Sequence, residues 1–196
     1  MSNINFANKN ENVIYRETRD TILEKDSFDV LGLYNVIYNE LNKTETKYLF
    51  PNKNEEIVYI NDKNKYNLFY MHDIQMHSLF QKIVILIKNT CLKHEFSYSK
   101  NRYYVYASLV EDQDPAFWYD AGGTSRPSMF GIISLDSNKT QLSINETIFD
   151  LEPGGIVLSE AGNKIIYSRP FKSIVFYVSP LSEIKNQYSQ KWIPLV

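Results

Sequence analysis

Hydrophobic residues recur at helical spacing in two segments of the amino-terminal half of the chain. The first set follows Asp26 and Ser27 at intervals near three and four residues, and it consists of Phe28, Leu31, Tyr34, Val36, Ile37 and Leu41. This spacing predicts a helix that is capped by Asp26 or Ser27. A second helix is predicted from about Asp73 to about Lys93, and the apolar residues that nearly encircle it indicate a mostly buried helix.

Short apolar runs separated by turn residues dominate the rest of the chain. Aromatic and β-branched residues favour strands, while Gly, Pro, Asn and Asp mark the turns between them. The predicted strands cover residues 57–60, 103–106, 130–135, 141–144, 147–151, 156–159, 164–167 and 173–178. Short strands at even spacing indicate a sandwich or a barrel. Helices followed by strands predict an α+β fold whose helices pack on one outer face of the sheet.

Length and composition are those of one globular domain. The chain has 196 residues, of which 43% are apolar and 22% are charged, and a chain with this composition buries a core rather than staying disordered. We therefore predict a single domain over residues 1–196. Within it, residues 1–15 are expected to be flexible, 16–100 to form a helical part, 101–182 to form the β core and 183–196 to form a tail.

Charge and cysteine content narrow the classes of function. The 21 basic and 23 acidic residues give a net charge of −2, whereas binding to nucleic acid or to an anionic membrane favours a strongly basic domain. A single cysteine, Cys91, excludes an internal disulfide framework. No signal-like apolar run opens the chain, and the longest apolar stretch, 83–87, is too short to span a bilayer. We expect a cytoplasmic protein that binds neither nucleic acid nor membranes.

Three segments between residues 102 and 180 carry a family resemblance. They are 117–123 followed by 130–135, the run 151–158 with its Pro-Gly turn, and 172–178. Their order resembles the double-stranded β-helix, or jelly roll, of the iron- and 2-oxoglutarate-dependent dioxygenases, in particular the prolyl-hydroxylase-like branch. The cupin families share this barrel and a similar turn. The resemblance implies a jelly-roll core with the N-terminal helices packed on one face of its sheet.

The iron ligands of that family do not all have counterparts in this sequence. Trp118 stands where the family's His-x-Asp pair has its histidine, while Asp120 matches the aspartate. The family's distal histidine would fall near Lys164, and no histidine follows His94. Neither an indole nor a protonated amine offers a lone pair to iron, so a 2-His-1-carboxylate site cannot form at these positions. We therefore expect no cofactor, although the resemblance alone implies iron and 2-oxoglutarate.

The candidate catalytic residues are those that the resemblance brings to the barrel mouth. Asp120 or Tyr119 would supply an acid–base group, and Lys164 would supply a positive charge in place of the metal. The residues themselves leave a structural alternative open for each. Asp120 would be a turn residue that caps backbone N–H groups beside Gly122 and Gly123. Lys164 would be an exposed lysine in a turn.

The candidate ligand-binding residues are aromatic or basic, and comprise Trp118, Tyr104, Tyr106, Arg169 and Lys172. Strand alternation sends Tyr104 and Tyr106 to one face and Tyr103 to the other, so the first two could line a cleft. Packing in the core is their alternative. Lys172, or Arg169 with a shift in register, would clamp a carboxylate, and charge beside an edge strand is the alternative for both.

Three functions stay open on the sequence. In the first, a barrel without iron binds a small-molecule or peptide-like ligand and catalyses metal-free dehydration, isomerisation or cyclisation. In the second, a non-catalytic relative binds a ligand or a protein partner, or forms a homodimer through exposed aromatics. In the third, an oxygenase builds an atypical metal site from Asp120 and an N-terminal histidine, His72 or His77.

Overall fold

The computed structural model of the chain describes residues 22–42, 49–51, 57–59, 67–94, 103–111, 128–145, 147–160, 165–180, 184 and 192–195. Its helices are α1 (Leu33–Asn42), α2 (Ile74–Lys93) and a short 3-10 helix at Leu68–Tyr70. The strands are β1 (Ile22–Ser27), β2 (Leu49–Pro51), β3 (Ile57–Tyr59), β4 (Tyr103–Val110), β5 (Met129–Ser134), β6 (Thr140–Ile144), β7 (Thr147–Leu151), β8 (Gly155–Glu160), β9 (Ile165–Tyr167), β10 (Ser173–Pro180) and β11 (Ile193–Pro194).

Antiparallel pairing organises these strands into sheets of unequal size. Six strands form one sheet in the order β1-β8-β5-β10-β4-β11, and three form a smaller sheet in the order β7-β6-β9. β2 and β3 pair with each other as a separate ribbon. From β5 to β10 the chain crosses from the large sheet to the small sheet and back, and does so again through β9. Helices and antiparallel sheets together make the α+β class that the sequence predicts.

The helices cover one face of the six-stranded sheet. Ile174, Phe176 and Val178 of β10 point to this face and share one buried cluster with Leu33 of α1 and Ile83 of α2. We call this cluster the helix-side core. Successive residues of a strand point to opposite faces, so the intervening residues of β10 must be covered by something other than the helices.

The small sheet provides that cover and encloses a second core. Val175 and Tyr177 of β10 lie in a buried cluster with Leu142 and Ile144 of β6 and Leu151 of β7. We call this cluster the inter-sheet core. The central strands of the large sheet are therefore buried on both faces, which explains why every residue of β5 is buried.

Helix α2 agrees with the sequence prediction in position and in capping. It spans Ile74–Lys93, and the Asp73 side chain accepts hydrogen bonds from the backbone N–H groups of Gln75 (2.8 Å) and Met76 (3.1 Å). Such an N-cap pairs amides that have no partner within the helix. No helix in the described part of the chain combines the length and apolar character needed to cross a membrane.

The expected cap of the first helix was wrong. Asp26 and Ser27 end strand β1, and α1 begins only at Leu33. The chain reverses at Gly32, whose φ of +76° lies in the left-handed region that favours glycine. Strand β1 forms because β8 pairs along its length, and the Phe28 N–H extends this contact by donating to the Gly154 carbonyl at 2.9 Å.

The two ends of the described chain contribute outer strands of the large sheet. β1 comes from the part expected to be helical, and β11 comes from the part expected to be a tail. β11 pairs with β4 through Ile193 and Pro194, and Leu195 donates to the Tyr103 carbonyl at 2.9 Å. Residues 1–15, expected to be flexible, lie outside the described residues.

Candidate functional site

Two serines place hydroxyl groups between the sheets at one end of the large sheet. Ser134 ends β5 and lies opposite Ser173, the first residue of β10. Side chains two residues apart on a strand point to the same face. Ser134 therefore faces the same side as Ile132, and Ser173 the same side as Val175, and both of these neighbours belong to the inter-sheet core. The two serines are 0% and 1% exposed, so both hydroxyls are withdrawn from bulk water. We call these residues the serine pair.

Neither hydroxyl of the serine pair has a hydrogen-bond partner within the described residues. The next pair along the two strands, Leu135 and Lys172, is the one joined by a backbone hydrogen bond, because the Leu135 N–H donates to the Lys172 carbonyl at 2.9 Å. The serines therefore form the non-hydrogen-bonded pair of the ladder, in which opposite side chains come closest. A buried hydroxyl without a partner costs about 1–3 kcal/mol, and nothing in the described residues offsets that cost for the serine pair.

Asp136 adds an acceptor beside the serine pair. It follows Ser134 by two residues, and its Oδ2 atom is buried without a hydrogen-bond partner in the described structure. Arg169 Nη2 approaches this oxygen to 3.3 Å, which makes an ion pair but not a hydrogen bond. The site thus combines two hydroxyls, one carboxylate oxygen and a guanidinium that balances the carboxylate charge.

The structure ties Arg169 to the connection between β5 and β6. Its Nη2 group donates to Thr140 Oγ1 at 3.2 Å and to the carbonyls of Asn138 at 3.4 Å and Lys139 at 3.5 Å. These contacts and the ion pair to Asp136 all use Nη2, and the side chain of Arg169 stays 42% exposed. The predicted role of Arg169 as a carboxylate clamp gains no support from this placement.

Lys172, the other predicted clamp, lies on the opposite face of the sheet. Its Nζ atom lies 3.7 Å from the centroid of the Tyr34 ring on α1, while the adjacent Ser173 faces the small sheet. The Tyr34 hydroxyl in turn donates to Glu111 Oε1 at 2.5 Å. This hydrogen bond, and then burial, raises the pKa of Tyr34. Contact with Tyr34 is the main cause that raises the pKa of Lys172.

These two raised pKa values predict that the free energy of unfolding falls at alkaline pH. A group whose pKa is higher in the folded state stabilises the fold below its unfolded pKa, about 10 for tyrosine, and that contribution is lost as the pH rises through the folded pKa. We expect urea unfolding between pH 8 and 11 to show a shallower alkaline loss for Tyr34→Phe than for the natural chain. Tyr38→Phe, on the exposed side of the same helix, is the control, and an equal effect of both changes would contradict the prediction.

The predicted aromatic residues are packing residues where the structure describes them. Tyr106 is fully buried in the inter-sheet core, with its ring centroid 5.7 Å from that of Trp192. Tyr104 packs against the same core, while Tyr103 belongs to the helix-side core, as the strand alternation predicts. Large rings therefore fill the end of the inter-sheet space that lies away from the serine pair.

The remaining candidates divide between the helix layer and undescribed positions. Trp118, Tyr119, Asp120 and Lys164 lie outside the described residues, so their roles stay predictions. The histidine candidates of the third hypothesis, at positions 72 and 77, are exposed, at the start of α2 and on it. Within the described ranges no group of three His, Cys, Asp or Glu side chains is arranged to hold a metal ion.

The serine pair and Asp136 are site residues that the sequence reasoning did not find. The available signal was a polar residue in the buried phase of an apolar strand, since Ser134 shares its phase with Phe130 and Ile132. In the sequence, a serine at this position is easily interpreted as the polar residue that ends a strand.

No protein-family model matches the chain, and neither the curated proteins nor the solved structures contain a match.

Proposed function

We propose that this chain is a double-stranded β-helix protein that binds a small polar ligand between its two sheets, at the serine pair. The observation that carries this proposal is the pair of buried, unpartnered hydroxyls of Ser134 and Ser173 on the inner face of the large sheet. Natural proteins keep such unfavourable polar groups mainly where function requires them. A ligand that hydrogen-bonds both hydroxyls would remove their desolvation cost.

The strand order supports the jelly-roll part of the proposal. Between β5 and β10 the chain passes twice from the large sheet to the small sheet and back, through β6 and β7 and then through β9, and the two sheets enclose one core, as in double-sheet jelly rolls. β10, whose sequence resembles the closing strand of the dioxygenase family, lies between β4 and β5. The Pro153-Gly154 turn, whose sequence resembles the family's Pro-Gly turn, directly precedes β8.

Binding is the role that the described residues support best. Hydroxyls and a charge-balanced carboxylate can hold a ligand by hydrogen bonds, whereas the residues expected to catalyse acid–base chemistry, Asp120, Tyr119 and Lys164, are outside the described ranges. Catalysis on the bound ligand is therefore a prediction that depends on those residues.

Removing the two hydroxyls tests whether they serve the fold or a ligand. We expect Ser134→Ala and Ser173→Ala to keep or raise the free energy of unfolding, by up to about 1 kcal/mol each, because each removes an unpaired buried polar group. Urea unfolding of the ligand-free protein measures this change. In a thermal-shift screen, polar compounds that raise the Tm of the natural chain should lose their effect in the double variant.

Ser159→Ala is the matched control for this experiment. Ser159 is also fully buried and lies on the same strand face, but its hydroxyl donates to the Glu160 carbonyl at 3.3 Å. We expect this variant to lose about 1 kcal/mol. A comparable loss in the Ser134 and Ser173 variants would mean that those hydroxyls stabilise the fold. That result, or a thermal-shift response that the double variant retains, would overturn the proposed binding site.

A further inference from the structure

We infer that the ligand of the serine pair is an uncharged, hydroxyl-rich molecule such as a polyol or a sugar, and not the dicarboxylate that the family resemblance implies. This inference rests on the proposed function and adds the chemical class of the ligand. It comes from the charges around Ser134 and Ser173 and from the hydrogen-bonding capacity of the groups that face the ligand.

The basic side chains that the structure describes at this end of the sheets all have partners within the protein. Arg169 is held by Asp136 and Thr140. Lys172 lies over Tyr34 on the other face of the sheet, and Lys139 pairs with Asp150 at 2.8 Å. A carboxylate at the serine pair would instead meet the Asp136 oxygen, and two like charges in a buried site repel strongly.

A cationic ligand is disfavoured by the same ion pair. Arg169 lies 3.3 Å from Asp136, so a ligand ammonium at that carboxylate would lie close to a permanent positive charge. The local sum of charges is already zero. An uncharged ligand keeps this balance, because it leaves the Asp136–Arg169 pair intact.

The hydrogen-bonding pattern matches neighbouring hydroxyl groups. Each serine hydroxyl can donate one hydrogen bond and accept others, whereas the Asp136 oxygen only accepts. A ligand must therefore offer at least one donor to Asp136 and groups that both donate and accept to Ser134 and Ser173. Adjacent hydroxyls of a polyol or sugar supply both capacities, while a carboxylate supplies acceptors only.

Matched pairs of probes, in which a carboxylate replaces one CH2OH group, test this inference. We would compare D-glucose with D-glucuronate, D-galactose with D-galacturonate and glycerol with glycerate, together with succinate and 2-oxoglutarate, by saturation-transfer NMR and titration. We expect neutral probes to bind at least about tenfold more tightly than their acidic counterparts. The Ser134→Ala/Ser173→Ala double variant should weaken this binding about tenfold, and Lys172→Met, on the other face, should leave it unchanged.

Other outcomes separate the inference from the proposed function. If an acidic probe binds more tightly than its neutral counterpart and the double serine variant abolishes that binding, the serine pair is a ligand site but the inferred class is wrong. Loss of binding in Lys172→Met would also overturn the inferred class. If no probe distinguishes the natural chain from the double variant, the inference fails, and the stability of the serine variants then decides the proposed function independently.

Discussion

A single added methyl group at Gly131 is expected to destabilise the fold by about 3 kcal/mol or more. Gly131 lies opposite Phe176 in the β5–β10 pair at the centre of the large sheet. A Cβ atom built on Gly131 would lie 2.0 Å from Phe176 Cζ, far inside van der Waals contact. Phe176 is fully buried in the helix-side core, so its ring has no free space to enter. Urea unfolding of Gly131→Ala measures the loss.

Two controls separate crowding from the loss of glycine itself. Gly32 has a φ of +76° and nothing within 4 Å of a built Cβ, so Gly32→Ala should cost only the backbone strain, about 1 kcal/mol. In a Phe176→Leu background the ring is gone, and Gly131→Ala should cost about 1–2 kcal/mol less than in the natural chain. An equal cost in both backgrounds would show that contact with the Phe176 ring does not explain the effect.

The sequence alone predicts an element correctly where the residues of that element and its flanks specify it. α2 has an Asp at its N-cap and a long apolar pattern, and the predicted span agrees with the observed Ile74–Lys93. β7 was predicted over 147–151 and is observed at Thr147–Leu151. In both segments the spacing of apolar residues and the flanking turn or cap residues point to the same structure, so little depends on distant partners.

Strand β1 shows why other elements could not be predicted from their own residues. Its sequence is mostly polar, and its charged residues find partners far away along the chain. Asp26 pairs with Lys82 at 3.0 Å and Glu24 pairs with Lys93 at 3.2 Å, both on α2. The strand exists because β8 offers an edge and α2 offers opposite charges. Tertiary contacts of this kind override local propensity.

The candidate site was misjudged for a related reason. Alternation requires Lys172 and Ser173 to face opposite sides of β10, but which side faces the small sheet depends on how the sheets stack. The sequence reasoning favoured Lys172 for its charge, whereas the structure puts Ser173 on the inner face and Lys172 over Tyr34. Charge marks a candidate clearly in a sequence, while a serine in the buried phase of a strand does not.

The second large effect is expected at Asn67, whose side chain hydrogen-bonds the backbone of β4 as a neighbouring strand would. In the described part of the chain, β11 pairs with β4 at Tyr104 and Val105, and Leu195 adds a hydrogen bond to the Tyr103 carbonyl. Beyond it, Asn67 Nδ2 donates to the Val105 carbonyl at 3.2 Å and Asn67 Oδ1 accepts from the Ala107 N–H at 3.1 Å. The same oxygen accepts from the Phe69 N–H at 3.2 Å, so one buried amide joins the 3-10 helix to the edge of β4.

Asn67→Ala is expected to cost about 3 kcal/mol, since it leaves several backbone groups near a buried strand edge without that partner. Urea unfolding measures the change, and Asn42→Ala is the control, because the Asn42 amide donates to the Tyr38 carbonyl at 2.7 Å at an exposed site. There, water replaces the lost bond, and we expect a cost below about 0.5 kcal/mol. Equal costs at Asn67 and Asn42 would contradict the bridging role. Asn67→Asp should cost at least as much as Asn67→Ala, because it buries a carboxylate and places one of its oxygens against the Val105 carbonyl.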